Sequence, residues 1–146
     1  MPRRYDLPGQ LINHAQGLHA ASAAVELLCA HGTWLGKPAF VSRCAITGTH
    51  PSGGLYAYID WSNAIAALDA GHLAGSGSEN NILRIAASIG DPGIPVRLAC
   101  VLGNLDPANI GLVTAAIFRA NGGDPGHGQH PRSHKPKAFR AVAPDG

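Results

Sequence analysis

Four residues of the types that bind zinc lie in the first part of the chain: Cys29, His31, Cys44 and His50. Zinc prefers thiolate and imidazole ligands, but structural sites present them in closely spaced pairs at recurring intervals. The pattern here, Cys-x-His followed by a distant Cys-x5-His, matches none of those sites. We therefore expect no metal or cofactor, and interpret these residues as two buried thiols, a helix-end histidine and a loop histidine. Convergence of the four ligands in the fold is the alternative.

Nucleophilic or acid–base catalysis would need a nucleophile, a base and an acid that orients the base. No residue of these types lies in a strand-turn-helix elbow or another diagnostic setting. The sequence therefore assigns no catalytic residue and favours a non-enzymatic protein. The alternative is a small enzyme with a pocket near His50 and Asp60. Its candidate residues are the bases His14, His19, His50 and His72, the nucleophiles Ser76 and Ser88, and the orienting acids Asp60 and Asp69.

Helix-start signals account for the best of these polar residues. Asp60 and Asp106 each precede an apolar segment, where a side-chain oxygen can accept a hydrogen bond from an unpaired backbone amide. Ser76 and Glu79 have the spacing of a capping box, in which each side chain accepts from the other residue's amide. We predict structural caps at Asp60, Ser76, Glu79 and Asp106, which commits these groups to the backbone.

A different kind of chemistry would be DNA reading by a helix-turn-helix at residues 82–101. Ala86, Gly90 and Val96 occupy positions where that motif has a small residue, a turn glycine and an apolar residue. Two prolines interrupt the turn and the start of the second helix, and Arg97 alone could hydrogen-bond to base edges there. The pattern therefore favours core packing for this element.

Positive charge gathers at the two ends of the chain, although the net charge is only +2. Arg3 and Arg4 lie in an N-terminal arm, and further cations lie in a His- and Pro-rich tail at 123–146. The tail has no apolar periodicity, so we expect it to be disordered. Because such a tail can neutralise phosphates, a nucleic-acid-associated protein is the first alternative function. The predicted nucleic-acid contacts are Arg132, Lys135, Lys137 and Arg140.

The remaining sequence predicts a mainly α-helical fold. Apolar residues recur three or four apart between helix-start and helix-stop signals, and the chain length suits one domain. We predict a single compact bundle of about five helices over residues 11–122, preceded by a basic arm at 1–10. The helices are expected at 11–31, 61–70, 76–89, 95–102 and 106–121, the last with an apolar stripe of Ile110, Val113, Ile117 and Ala120.

Residues 39–59 form a small insert whose conformation the sequence leaves open. The segments 40–47 and 55–59 are rich in β-branched and aromatic residues, and the link 48–54 has turn composition, which is typical of a hairpin. The alternative, which we favour, is a short helix begun by Pro38, then an irregular loop and a short extended piece.

Composition favours a cytoplasmic interaction protein. We expect neither a signal peptide nor a membrane span. Cys29, Cys44 and Cys100 follow no disulfide spacing and lie among apolar residues, which predicts buried, reduced thiols. Only 14% of the residues are charged, and 45% are apolar with few aromatics. We therefore expect a non-enzymatic protein that uses an Ala-rich helical surface to bind a protein partner or a second copy of itself.

The capped segments between residues 20 and 122 also carry a pattern of single positions. These are Ile59-Asp60-Trp61, Ala64, Ala67-Leu68, Gly71, Ser76, Glu79, Leu83 to Ser88, Pro95-Val96, Leu98, Gly103, Leu105-Asp106, Asn109, Val113 and Ala116. The pattern resembles a family of small uncharacterised actinobacterial proteins, often found near plasmid or mobile-element genes. The resemblance implies a shared fold and an accessory or regulatory role, and it brings no activity, cofactor or catalytic residue with it.

Overall fold

Seven α-helices and one β-hairpin make up residues 6–123, the part of the chain that this computed structural model describes. The prediction of a mainly α-helical fold with a small insert is confirmed. The helices are α1 (Leu7–Ala15), α2 (His19–His31), α3 (Pro38–Cys44), α4 (Trp61–Asp69), α5 (Gly77–Gly90), α6 (Leu98–Leu102) and α7 (Pro107–Ala120); the strands are β1 (Ala45–Thr49) and β2 (Leu55–Ile59), and a 3-10 turn spans Trp34–Gly36.

The first predicted helix, 11–31, is two helices in the structure, so the single-helix prediction is wrong. The chain turns back at Gly17, whose φ of 87° suits a residue without a Cβ. Just past the turn, Ser22 of α2 donates a hydrogen bond to the carbonyl of Ala15 at 2.9 Å. This buried contact holds the start of α2 against the end of α1.

Helix α1 begins inside the segment predicted as a basic arm. Asp6 is its N-cap, and the carboxylate accepts a hydrogen bond from the amide of Gly9 at 3.1 Å. Pro8 lies in the first turn, where its missing N–H leaves no helical hydrogen bond unmade. Residues 7–10 are thus helical, and they bring the first turn of α1 to the hairpin.

Helix α2 lies at the centre of the bundle and contacts both α5 and α7. Small side chains let these helices approach closely, since each contributes buried alanines. These are Ala23, Ala24, Ala86, Ala87 and Ala116, none more than 5% exposed. Trp34 and Phe40 supply the bulk that the alanines lack. Both rings are fully buried, and their centroids lie 5.6 Å apart.

The insert combines the two conformations that the sequence left open. The short helix begun by Pro38 is confirmed as α3, and an antiparallel hairpin follows it at once. Ala45 pairs with Ile59, and Thr49 pairs with Leu55 at the turn end. The hairpin prediction is therefore right for the strands and wrong for the residues before 45, which are helical.

Strand β2 presents different side chains on its two faces. Ala57 and Ile59 are 0% and 5% exposed and face the core. Tyr56 and Tyr58 alternate with them and face outward, as the two-residue period of a strand requires. Tyr56 lies over Gly48 of β1, where a Cβ would overlap its ring. A glycine opposite this tyrosine thus lets the ring rest on the sheet.

The residues after α5 do not form a helix-turn-helix. Helix α5 ends at Gly90, and α6 begins only at Leu98, although the sequence predicts a helix from Pro95. Helix α6 has 5 residues. That is about one and a half turns, which is too short to lie along a DNA groove. Since Val101 is buried in the core, this element has a packing role.

Candidate functional site

Three of the predicted caps stand at helix starts. Asp60, Ser76 and Asp106 are the N-caps of α4, α5 and α7. Their side-chain oxygens accept hydrogen bonds from the backbone amides three residues further on, at 3.0, 3.3 and 2.7 Å respectively. Each of these side chains thus completes the hydrogen bonding of the first turn of its helix.

Glu79, the fourth predicted cap, is directed at Lys37. Its Oε2 accepts from Lys37 Nζ at 2.7 Å, and the same ammonium donates to the carbonyl of Ala74 at 2.6 Å. Lys37 Nζ also lies 4.6 Å from the centre of the Trp34 ring, whose Nε1 donates to the carbonyl of Glu79 at 2.8 Å. The hydrogen bond from Lys37 lowers the pKa of Glu79, and hydrogen bonds from Ser76 act in the same direction. The cluster ties the segment before α3 to the start of α5.

His31 ends α2 within electrostatic reach of this ion pair. Burial lowers its pKa below the ordinary value of 6.5, while Glu79 and Asp106 act in the opposite direction. Within the described residues its buried Nδ1 has no hydrogen-bond partner. The predicted helix-end histidine is thus packed in surroundings that favour its neutral form.

The four zinc-type residues do not come together in the described part of the chain. No three His, Cys, Asp or Glu side chains there are placed to hold a metal ion. Burial raises the pKa of Cys29 and Cys44, which disfavours the thiolate that metal binding requires. The prediction that Cys100 is buried is wrong, because the short α6 turns only Val101 and Leu102 toward the core.

The serine and acidic candidates for catalysis are engaged in local contacts. Asp69 accepts from Arg84 at 2.6 Å, and Ser88 donates to the carbonyl of Ile85 at 3.0 Å. Ser76 serves as a cap. The exposed histidines at 19 and 72 make no side-chain hydrogen bond to another described residue. Among the described residues, these contacts therefore do not align a nucleophile with a base and an orienting acid.

Among the described residues, His50 and Asp60 do not lie together at one pocket. His50 follows β1 at the turn, whereas Asp60 follows β2 at the other end of the hairpin. A five-residue strand separates them by about 17 Å. A groove of about 580 Å³ does lie between α1, α3 and the hairpin, but neither residue lines it. Its lining residues are Leu7, Gln10, Val41, Ser42, Ala45, Thr47, Gly48, Thr49 and Leu55.

Two of the candidate histidines lie instead on an exposed aromatic surface. Tyr56 and Tyr58 have nearly parallel rings, with an interplanar angle of 6° and centroids 6.4 Å apart. His14 of α1 stacks against them at 5.5 and 5.6 Å, and His50 lies 4.9 Å from Tyr56. We call His14, His50, Tyr56 and Tyr58 the aromatic tile.

Sequence reasoning missed the aromatic tile, although part of its signal is local. The alternation Leu55-Tyr56-Ala57-Tyr58-Ile59 places both tyrosines on one face of any strand. The approach of His14 depends on how α1 packs against β2, and no short sequence pattern carries that information.

Helix α7 exposes large apolar side chains. Of the predicted stripe, Val113 is 3% exposed, but Ile110 and Ile117 are 38% and 55% exposed. The prediction of one continuous stripe is therefore wrong. The inward positions are Val113 and Ala116, which are buried, and Phe118 is 47% exposed on the other side.

We define the α7 outer face as Ile110, Gly111, Thr114, Ile117 and Phe118. All five residues are exposed, and the helix from Pro107 to Phe118 carries no acidic, basic or histidine side chain. The Thr114 hydroxyl donates to the carbonyl of Ile110 at 2.8 Å, so its hydrogen-bonding capacity is met within the helix. The surface is thus apolar and uncharged, and its one hydroxyl group already has a hydrogen-bond partner.

Comparison with known proteins finds no matching family model, no matching curated protein and no matching solved structure. The predicted nucleic-acid contacts in the tail, from Arg132 to Arg140, lie outside the described residues. Within residues 6–123, every helix is too short or too polar to cross a membrane.

Proposed function

We propose that this chain is a non-enzymatic, cytoplasmic interaction protein that pairs with a second copy of itself through the α7 outer face. The observation that carries the proposal is the exposure of Ile117 and Phe118 on an Ala-rich stretch of α7, from Pro107 to Phe118, that carries no charged side chain. Adjacent exposed apolar side chains of this size mark protein–protein contacts. An accessory or regulatory role fits the resemblance to small proteins found near mobile-element genes.

A second copy is the partner that suits this surface. In a two-fold pair the same residues face each other, so an apolar, uncharged face meets another one. Gly111 adds no side chain, and the space where its Cβ would stand is open, so a neighbouring helix can approach there. Helix α7 has 14 residues. Its length of about 21 Å gives an interface at the small end of the range, so we expect reversible pairing.

Molar mass as a function of concentration tests the proposal. Light scattering and sedimentation should show the full chain passing from monomer to dimer as its concentration rises. Ile117→Ser and Phe118→Ser should each weaken pairing by about 10- to 100-fold, because each removes a buried apolar side chain from both copies. Both positions are exposed in the monomer, so the fold should survive.

Leu55→Ser is the matched control, since Leu55 is 60% exposed but lies on the hairpin. It should leave pairing unchanged. The proposal fails if the parent chain stays monomeric at about 1 mM, or if Leu55→Ser disrupts pairing as much as Ile117→Ser.

A second proposed function is nucleic-acid contact through the basic tail. It is supported by the distribution of charge. Lys37, Arg84 and Arg119 each pair with a carboxylate, which leaves only Arg43 and Arg97 without an ion pair among the described residues, and the other cations of the sequence lie near its two ends. Replacing Arg132, Lys135, Lys137 and Arg140 by Gln should flatten the salt dependence of DNA or RNA binding. Binding that is unchanged by these replacements would remove this proposal.

A further inference from the structure

We propose that the groove between α1, α3 and the hairpin binds an extended segment of a partner protein, which adds to β1 as a third, antiparallel strand. The segment is uncharged and carries apolar side chains at alternate positions. The groove shares no residue with the α7 outer face, so the two surfaces are separate sites. Three features lead to this partner: the unpaired backbone groups of β1, its unprotected edge and the groove beside it.

Alternate residues of β1 direct their backbone groups away from β2. The amide of Asp60 donates to the carbonyl of Cys44 at 2.8 Å, and an antiparallel ladder repeats such bonds at every second residue. Thr47 and Thr49 therefore point their amides and carbonyls toward the other edge. Among the described residues, no hydrogen bond reaches the backbone of either threonine there. Another extended backbone is the partner that can pair with all of these groups.

Nothing in β1 protects this edge against the addition of a strand. Exposed edge strands are commonly kept from pairing by a lysine, a proline or a bulge. Ala45–Thr49 contains no charged residue and no proline, and its pairing with β2 runs without a bulge. Ile46, Thr47 and Thr49 are all exposed. The edge is therefore open to a further strand.

The groove determines which side chains the added strand carries. Its lining residues carry no charge, and Leu7, Val41 and Leu55 give it apolar walls. Thr49 pairs with Leu55, so the side chains of Thr47 and Thr49 lie on the same face of the sheet as Leu55. Residues of the added strand that lie opposite these threonines direct their side chains to that face as well, into the groove. An uncharged strand with an apolar residue at every second position fits this arrangement.

A foreign segment suits this edge better than a second copy of the chain. Paired edge to edge, a second copy would offer its own Ala45, Thr47 and Thr49 side chains to the face that the groove occupies. These side chains are small, whereas the groove has a volume of about 580 Å³, comparable to that of a small-molecule pocket. A partner segment with larger apolar residues therefore buries more surface.

Titration with a synthetic peptide of about seven residues tests the proposal on the full chain. The peptide alternates valine with serine and is blocked at both ends, so it carries no charge. Nuclear magnetic resonance should show the amides of Thr47 and Thr49 shifting, and exchanging more slowly with solvent, as the peptide is added. The amides of Ile46 and Gly48 face β2 in the ladder, so their exchange should change little.

Methylated peptides show whether the backbone holds the added strand. In an antiparallel arrangement, the residues opposite Thr47 and Thr49 both bond to β1 and face the groove, so the valine amides donate the hydrogen bonds. N-methylation of the valines should weaken binding by about 10-fold or more, whereas N-methylation of the serines should leave it nearly unchanged. Replacing the valines by glycine should also weaken binding, since backbone pairing alone leaves the groove empty.

Substitutions in the protein separate this site from self-association. Leu55→Ser removes an apolar wall of the groove and should weaken peptide binding by about 3- to 30-fold, while pairing through α7 stays as in the parent. Ile117→Ser should weaken that pairing and leave peptide binding unchanged. Thr47→Pro removes an outward amide at an edge position, where proline is tolerated, and should abolish peptide binding. Circular dichroism checks that each variant is folded.

Four results would overturn the proposal. The parent chain could show no binding at about 1 mM peptide. The two methylated peptides could bind equally, which would place the contact away from the edge of β1. Protection of the Thr47 and Thr49 amides without peptide, if it is lost on dilution, would make a second copy the occupant. Protection that persists on dilution would make the occupant a segment of the same chain.

Discussion

Two pairs of aromatic rings occupy opposite situations in this fold. Trp34 and Phe40 are completely buried, and the indole N–H of Trp34 donates to a backbone carbonyl. Tyr56 and Tyr58 stand on the outside of the hairpin, and neither hydroxyl hydrogen-bonds to another described residue. The first pair is enclosed by the fold. Of the second pair, Tyr58 is exposed, whereas Tyr56 is half-buried, with Gly48, His14 and His50 against its ring.

The difference shows where to look for function in a protein whose polar residues mostly act as caps. Around Trp34, the charged side chains of Lys37 and Glu79 are bound to each other and to the backbone. Around Tyr56, the neighbouring histidine side chains stack against the rings and make no hydrogen bond to another described residue. Chemical groups that the fold does not need are the ones that can serve a ligand.

Truncation of one ring from each pair should give the largest contrast. Trp34→Ala should lower the free energy of unfolding by about 3–5 kcal/mol, because it empties a large buried volume and removes a hydrogen bond. Tyr58→Ala should lower it by less than about 1 kcal/mol, since it loses mainly cross-strand contact. Chemical denaturation followed by circular dichroism measures both. Equal losses would mean that the aromatic tile is a structural element.

A glycine lies against one ring of each pair, and replacing that glycine allows a second comparison of stability. A Cβ at Gly75 would lie 2.9 Å from Cη2 of the Trp34 ring, and a Cβ at Gly48 would overlap the ring of Tyr56. The buried ring has no room to move, so Gly75→Ala should destabilise the fold by about 1–3 kcal/mol.

The ring of Tyr56 is half-buried on the outer face of the hairpin and can move toward solvent, so Gly48→Ala should cost less than about 1 kcal/mol. Thermal melts of the two variants give the comparison. If Gly48→Ala destabilises the fold as much as Gly75→Ala, the ring of Tyr56 is not free to move.

The helix starts could be predicted because a cap is a local device. Asp60 and Asp106 each act on an amide three residues away, and a sequence window shows that relation directly. The capping box gains a partner that the sequence did not predict. Ser76 caps α5, while the carboxylate of Glu79 accepts from Lys37 of a distant segment as well as from Ser76.

Non-local packing explains why the sequence did not predict the exposed faces of α7 and of the hairpin. The helical period predicts that Ile110 and Ile117 share a face of α7, yet it cannot say which face α2 covers. Similarly, the strand period puts Tyr56 and Tyr58 together, but only the packing of α1 brings His14 beside them. The sequence therefore predicts the spacing of the residues in both candidate surfaces, but it does not predict which of them are exposed.

One histidine extends the comparison to pH, and its expected effect on stability is absent above neutrality and appears only in acid. His31 has a pKa below its ordinary value of 6.5 because of burial. As pH falls through 6.5, the unfolded chain takes up a proton on this ring before the folded chain does, so the free energy of unfolding falls until the folded-state pKa is passed. The lowered pKa of Glu79 acts separately and below 4.5, since the stability it contributes is lost only as pH falls through its folded-state pKa.

His31→Leu should therefore flatten the pH dependence of stability between about pH 7 and 5. Denaturant titrations of the parent and the variant at a series of pH values supply the slopes. An unaltered slope in His31→Leu would show that another group takes up the proton, and that the unpartnered Nδ1 of His31 is tolerated in the charged ring as well as in the neutral one.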